Sequence, residues 1–186
     1  AVPGHHNVRN ALAAIAACAE GFGVSVTDLR AHLAAFEGVR RRQELLGEPR
    51  GVRVYDDFAH HPTAVDETLR ALRGRHPGGA LWVAFEPRSA TACRALHQQA
   101  YARAFDAADH VLLAPLGRSG LPAAEALDLE RLARDLGDKA RAMPSVEAIV
   151  ERLVAGAAAG DTVALLSNGA FGGIHQKLLD ALVRSK

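Results

Sequence analysis

The sequence predicts a doubly wound α/β domain: a mainly parallel sheet with helices on both faces, preceded by a short helical pair. Three observations carry that expectation. Continuously apolar runs such as ALWVAF (80–85), HVLLA (110–114) and TVALL (162–166) alternate with amphipathic, alanine-rich stretches. That is the pattern of strands buried on both faces by crossover helices, and the handedness of such crossovers makes the winding Rossmann-like. A chain of 186 residues, 49% hydrophobic and 23% charged, has room for one full core plus a remainder at about 150 residues per domain.

The elements follow in order. Residues 7–19 are nearly all strong helix formers, with Leu12, Ile15, Ala16 and Ala19 at helical spacing. After the break GFG, 24–36 forms a second helix with Thr27 as its N-cap and Leu29, Leu33 and Phe36 as its apolar stripe. This pair, residues 1–40, is too small to fold alone and is the remainder. The basic connector GVRRR (38–42) leads into the sheet domain, 41–186. Residues 43–48 and 52–57 are short strands separated by Pro49-Arg50-Gly51. Then come a helix at 63–73, a strand at 80–85, a helix at 90–107, a strand at 110–114, helices at 123–136 and 145–155, a strand at 162–166 and a last helix at 173–183.

Composition excludes several classes. With 22 basic against 21 acidic residues, the electrostatic argument for a nucleic-acid binder is absent. Only three of the basic residues are lysines (Lys139, Lys177, Lys186), so arginine clusters must be discounted before they are read as functional. No apolar run approaches the ~20 residues that span a bilayer, and AVPGHHNVRN has no signal-peptide pattern, so a soluble cytoplasmic protein without a membrane partner is expected. Cys18 and Cys93 both fall in alanine-rich helical stretches and read as small buried apolar residues in a reducing compartment.

Ligands of such a fold are met at the carboxyl ends of the strands. The strand at 52–57 runs into Asp56-Asp57-Phe58-Ala59-His60-His61-Pro62, with Pro62 suited to a first helical turn. A carboxylate there can accept both hydroxyls of a ribose, and a histidine can pack against a nucleotide; equally, the run can be an acidic helix entry with exposed histidines. A metal site from Asp57, His60 and His61 is a third reading, opposed by the tendency of adjacent histidines to point apart. ALWVAF ends in Glu86-Pro87-Arg88-Ser89, where Arg88 either grips a carboxylate bidentately or stands in solvent behind a Ser89 cap. TVALL leads into Ser167-Asn168-Gly169-Ala170-Phe171-Gly172-Gly173. Its glycines allow close backbone approach to a ligand, and the next helix N-terminus can take an anion, though such turns also serve packing alone. Neither GxGxxG nor GxxxxGK[ST] occurs, which disfavours a Rossmann oxidoreductase and removes a P-loop.

Taken in order, PGHHNVRNALAA, FEGVRRR, VYDDFAHHPTAV, FEPRSAT and SNGAFGGIHQKLL resemble the signatures of the carboxyl-terminal part of Mur ligases, over essentially the entire chain. YDDFAHHPTA, EPRS and SNGAFGGIH look more like the branch that joins UDP-N-acetylmuramate to the murein tripeptide L-alanyl-γ-D-glutamyl-meso-diaminopimelate in peptidoglycan recycling than like the branch that adds L-alanine. The resemblance implies ATP-dependent amide formation, in which a carboxylate becomes an acyl phosphate and the incoming amine displaces the phosphate. It implies contacts to the adenine end of ATP at His6, Asn7 and Asn10, to the phosphates at Arg41, with Arg40 or Arg42 as other counterparts, and to the ribose at Asp57, with His60 beside it. Arg88, Ser89, Ser167, Asn168 and Phe171 would meet the amino component. Ala90 departs from the asparagine usual in the tripeptide branch. Residues 1–40 then read as the last helices of an ATPase domain whose P-loop and Mg2+ ligands lie outside this chain, so the chain alone is expected to be inactive. A non-catalytic nucleotide- or peptide-binding module is the alternative of a different class.

Overall fold

The computed structural model describes residues 4–185. Its strands are β1 (Glu44–Gly47), β2 (Arg53–Asp57), β3 (Leu81–Phe85), β4 (His110–Leu113), β5 (Ala140–Ala142) and β6 (Thr162–Leu166). Its helices are α1 (His5–Phe22), α2 (Val26–Ala34), α3 (Pro62–Arg75), α4 (Gln98–Ala104), α5 (Leu129–Leu136), α6 (Val146–Gly156) and α7 (Ile174–Arg184). The strands form one sheet in the order β1-β2-β6-β3-β4-β5. Every neighbouring pair is parallel except β1 with β2, which is antiparallel. The expected mainly parallel, doubly wound architecture is therefore observed.

Alternation along each strand divides the core into two layers. Tyr55, Val83, Phe85, Leu113 and Leu166 meet Leu69 and Leu72 of α3, Tyr101 of α4 and Leu132 of α5 on one face. Val54, Trp82, Ala84, Leu112 and Leu165 meet Ile149 and Leu153 of α6 and Leu178 and Leu182 of α7 on the other. Burying a large apolar side chain contributes about 1.5–3 kcal/mol, so both layers hold the sheet. β2 and β3 are followed by helices on the first face and β6, between them, by a helix on the second. The connections thus diverge on both sides of β6, which opens a crevice at its carboxyl end.

Several boundaries differ from the sequence reading, each for a tertiary reason. The expected helix at 90–107 shrinks to α4, because the Ala95 amide donates to Glu125 O (2.9 Å), the Leu127 amide donates to Cys93 O (2.8 Å) and Arg94 forms a bridge with Ala126. Those same contacts keep 123–127 out of α5, which starts after the Asp128 cap, where Oδ1 accepts from the Arg131 amide at 2.8 Å. The cap of α2 is Ser25 rather than Thr27, its hydroxyl accepting from the Asp28 amide at 3.1 Å. Cys93 is buried but lies in a turn, and Cys18, on α1, is only half-buried. Neither α1 nor α2 buries a residue: Val8, Leu12 and Phe22 are 57%, 60% and 82% exposed.

Candidate functional site

The ladder extends one step past the ends of β2, β6 and β3. The Ser167 amide donates to Asp57 O (3.1 Å) and the Glu86 amide to Leu166 O (3.0 Å), which sets Asp56, Asp57, Ser167 and Glu86 together at the carboxyl edge. All four are buried, and buried polar side chains need partners. Asp57 accepts from the Ala59 amide through Oδ1 (2.7 Å) and from the Gln43 amide through Oδ2 (2.8 Å). Burial pushes its carboxyl above the usual range, only partly offset by those amides and by the charge of Arg42. Asp56 takes Arg41 Nε at 3.0 Å on Oδ2 and faces His175 Nε2 at 3.1 Å with Oδ1. Burial works to raise this carboxyl too, but His175 and Arg41 outweigh it and hold it below its ordinary value.

Arg41 is in the left-handed region, φ 59°, a conformation that non-glycine residues adopt only when the surroundings enforce it. Its amide donates to Glu44 Oε2 (2.7 Å) and its carbonyl accepts from the Phe58 amide (2.8 Å). Its Nη2 donates to Ser167 O and Gly169 O, both at 2.8 Å. Arg42 lines a different space. A cleft of about 1050 Å³ lies between α1, the residues following α2 and the start of α3, lined among others by His6, Asn7, Asn10, Phe36, Arg42, Asp57, His61 and Glu67. His6 Nδ1 sits 3.4 Å from Glu67 Oε2 across it.

Beside β6, Glu86 accepts a hydrogen bond from the Ser167 hydroxyl, whose oxygen accepts from the Gly169 amide at 2.9 Å. Arg88 Nη1 is 3.9 Å from Glu86 Oε1, with nearly half of the arginine side chain exposed. Its stem runs through a slot that only glycines permit: a Cβ on Gly169 would fall 2.2 Å from Arg88 Cδ, and one on Gly117 2.8 Å from Cγ. Asn168 Oδ1 is buried without a hydrogen-bond partner, an acceptor available to a donor on a ligand.

The structure therefore brings His6, Asn7, Asn10 and Asp57 to one cleft, and Arg88, Ser167 and Asn168 to the neighbouring crevice. It sets three expected residues elsewhere. Arg41 serves Asp56 and two carbonyls; Phe171 is fully buried in the α6/α7 layer; His60, absent from the cleft lining, turns Nδ1 to Phe58 O at 3.0 Å. Ser89 caps a turn rather than a helix, accepting from the Ala92 amide at 3.0 Å. Among the described residues no group of three or more His, Cys, Asp or Glu converges to hold a metal, and no helix is long and apolar enough to cross a membrane.

Residues 41–169 match the model of the Mur ligase, glutamate ligase domain. The chain belongs to the Mur ligase family. Over 182 residues this Mur ligase chain is 42% identical to the UDP-N-acetylmuramate–L-alanyl-γ-D-glutamyl-meso-2,6-diaminoheptandioate ligase of Escherichia coli, covering 97% of the chain and 38% of that protein. It is also 37% identical over 174 residues to the UDP-N-acetylmuramate–L-alanine ligase of Rhizobium etli, covering 91% and 36%. The crystal structure of a murein peptide ligase from Psychrobacter arcticus matches with a TM-score of 0.74 at 40% identity, over 97% of this chain and 38% of that one. The chain thus spans under two fifths of the length of these relatives.

Sequence reasoning assigned no role to Asp56, Glu86 or His175, although each stands inside a motif it singled out. The available signal was a polar residue at a strand's carboxyl end for Asp56 and Glu86, in the last residues of β2 and just after β3, and in the first turn of the following helix for His175. In this Mur ligase chain they hold other residues, and a residue that works through others has no spacing signature of its own.

Proposed function

We propose that the chain is the carboxyl-terminal part of a cytoplasmic, ATP-dependent ligase that joins UDP-N-acetylmuramate to L-alanyl-γ-D-glutamyl-meso-diaminopimelate, with residues 1–40 the end of its ATPase domain. The observation that carries the reading is the adjacency of two unlike spaces at one sheet edge. One is the cleft with asparagines on α1 opposite Asp57 and Arg42; the other is the crevice with Arg88 over Glu86 and Ser167. A cleft of about 1050 Å³ is ample for a nucleotide, since ligand pockets run to roughly 1,000 Å³.

In this reading Asn7 and Asn10 present amides that both donate and accept toward the adenine edge. Asp57 keeps lone pairs for ribose hydroxyls beyond those its two amides occupy. Arg42 is the phosphate contact, because the Arg41 guanidinium is already committed to Asp56 and two carbonyls. Arg88 takes a carboxylate of the incoming peptide as a flat fork, while the loop of Ser167 and Asn168, held from beneath by Glu86, helps form that pocket. Mg2+ accompanies ATP, with its ligands expected in the ATPase domain of the longer protein. The exposed Leu12 and Phe22, which do not line the cleft, support a longer protein that covers the outer face of α1.

The test uses the full-length protein with ATP and UDP-N-acetylmuramate, following phosphate release with tripeptide or L-alanine as acceptor. Tripeptide is expected to drive release; a preference for L-alanine, the acceptor named for the R. etli relative, would overturn the substrate assignment. Arg42→Ala and Asp57→Ala are each expected to raise KM for ATP about tenfold or more, as loss of a charge-assisted contact does, with KM for UDP-N-acetylmuramate little changed. Equal effects on both constants would count against the nucleotide cleft.

A further inference from the structure

One guanidinium ties together three segments that are far apart in the chain. Arg41, in the connector before β1, donates from Nε to Asp56 at the end of β2 (3.0 Å) and from Nη2 to both Ser167 O and Gly169 O (2.8 Å each) after β6. Asp56, only 5% exposed, is approached from its other side by His175 in the first turn of α7. Gly169, whose carbonyl Arg41 holds, packs directly against the Arg88 stem, with no room for even a Cβ between them. The backbone of Arg41 is itself pinned at both ends, by Glu44 and by Phe58. The buried Asp56 carboxylate needs only one of these bonds for its own charge; the two that Arg41 adds to the carbonyls of Ser167 and Gly169 are not required by that ion pair. They fix one loop.

We propose that Arg41 and Asp56 are positioning residues for the amino component: the pair sets the carbonyls of Ser167 and Gly169, and through Gly169 sets the Arg88 fork in its slot. Neither side chain touches the nucleotide in this assignment. Adjacent arginines thereby divide two tasks, Arg42 serving the cleft and Arg41 the crevice. The inference deepens the ligase reading above and rests on it for the identity of the amine, but the ordering of the loop stands apart from it. A point charge cannot replace the flat fork of arginine where several acceptors are bridged at once, so Lys at position 41 keeps the cation beside Asp56 and loses the two carbonyls.

The test compares R41K, D56N and R42A in the full-length protein, by steady-state kinetics and by amide hydrogen exchange. R41K and D56N are expected to raise KM for the tripeptide about tenfold while KM for ATP stays within about twofold; R42A is expected to do the reverse. In R41K and D56N the amides of Ser167 and Gly169 should exchange faster, with the amides of β6 still protected, which shows the fold intact. Unchanged loop exchange in R41K, or equal changes in the two KM values, would overturn the proposal. A protein that releases no phosphate with tripeptide would overturn the ligase assignment instead, and the exchange measurement would then decide the positioning role alone.

Discussion

Asp56 and Asp57 are adjacent in sequence and opposite in electrostatics, and stability should report the difference. The Asp56 carboxyl, held below its ordinary value by His175 and Arg41 against the effect of burial, contributes stability that is present above the unfolded pKa near 3.8 and lost as pH falls through the lower folded value. Asp56→Asn should therefore cost about 1–3 kcal/mol at neutral pH, with the gap to the parent closing in acid, as urea denaturation at several pH values would show. Burial raises Asp57, so its ionised form works against the fold and its contribution runs the other way with pH. Gly169→Ala should be mild for stability, within about 1 kcal/mol, because the obstructed atoms, Cδ, Nε and Cζ, belong to the outer part of the half-exposed Arg88 side chain, which can turn away into solvent. Its effect should fall on KM for the tripeptide, and an unchanged KM would argue that Arg88 does not meet the substrate. At this scale the paired carboxylates and the arginine run were visible in the residues. Which arginine faces the cleft was not, because the positive φ of Arg41 carries none of the glycine or asparagine that normally marks it.

Among the elements, the apolar strands were the most legible, because burial on both faces writes a continuous hydrophobic run. β5 escaped notice: three residues, Ala-Arg-Ala, carry no run at all, and the strand exists only because the edge of β4 offers it a ladder. The shortened α4 makes the complementary point, since alanine propensity at 90–97 loses to backbone pairing of 93–95 with 125–127. Helix α6 should show a similar override. Replacing a helical glycine by alanine ordinarily stabilises by about 0.5–1 kcal/mol, but a Cβ on Gly156 would meet Trp82 Cη2 at 2.4 Å. Trp82 stacks on His110 and donates to Asp161 at 3.2 Å, so it cannot withdraw without breaking both contacts. Gly156→Ala is thus expected to destabilise by about 1–3 kcal/mol, read as a lowered thermal midpoint.

For the molecule as a whole, the helical pair and the sheet domain carry different kinds of dependence. α1 and α2 bury no residue yet supply one wall of the cleft. A chain lacking residues 1–37 should keep a cooperative thermal transition within about 5 °C of the parent and lose ATP binding by calorimetry; a collapse of the transition would mean that the pair is part of the core after all. The direction of β1 decides where the helical pair joins the sheet. Because β1, at the edge of the sheet, runs antiparallel to β2, the chain enters the sheet at the same end where ligands would sit. The connector therefore meets β1 beside the carboxyl ends of the other strands, not at their far ends. Two bonds fasten it there in succession, from the Phe58 amide to Arg41 O and from the Gln43 amide to Asp57 Oδ2, like the first teeth of a zip. The first bonds met along the connector from the amino-terminal side are thus the ones that also hold the end of β2, next to the loop under the Arg41 guanidinium.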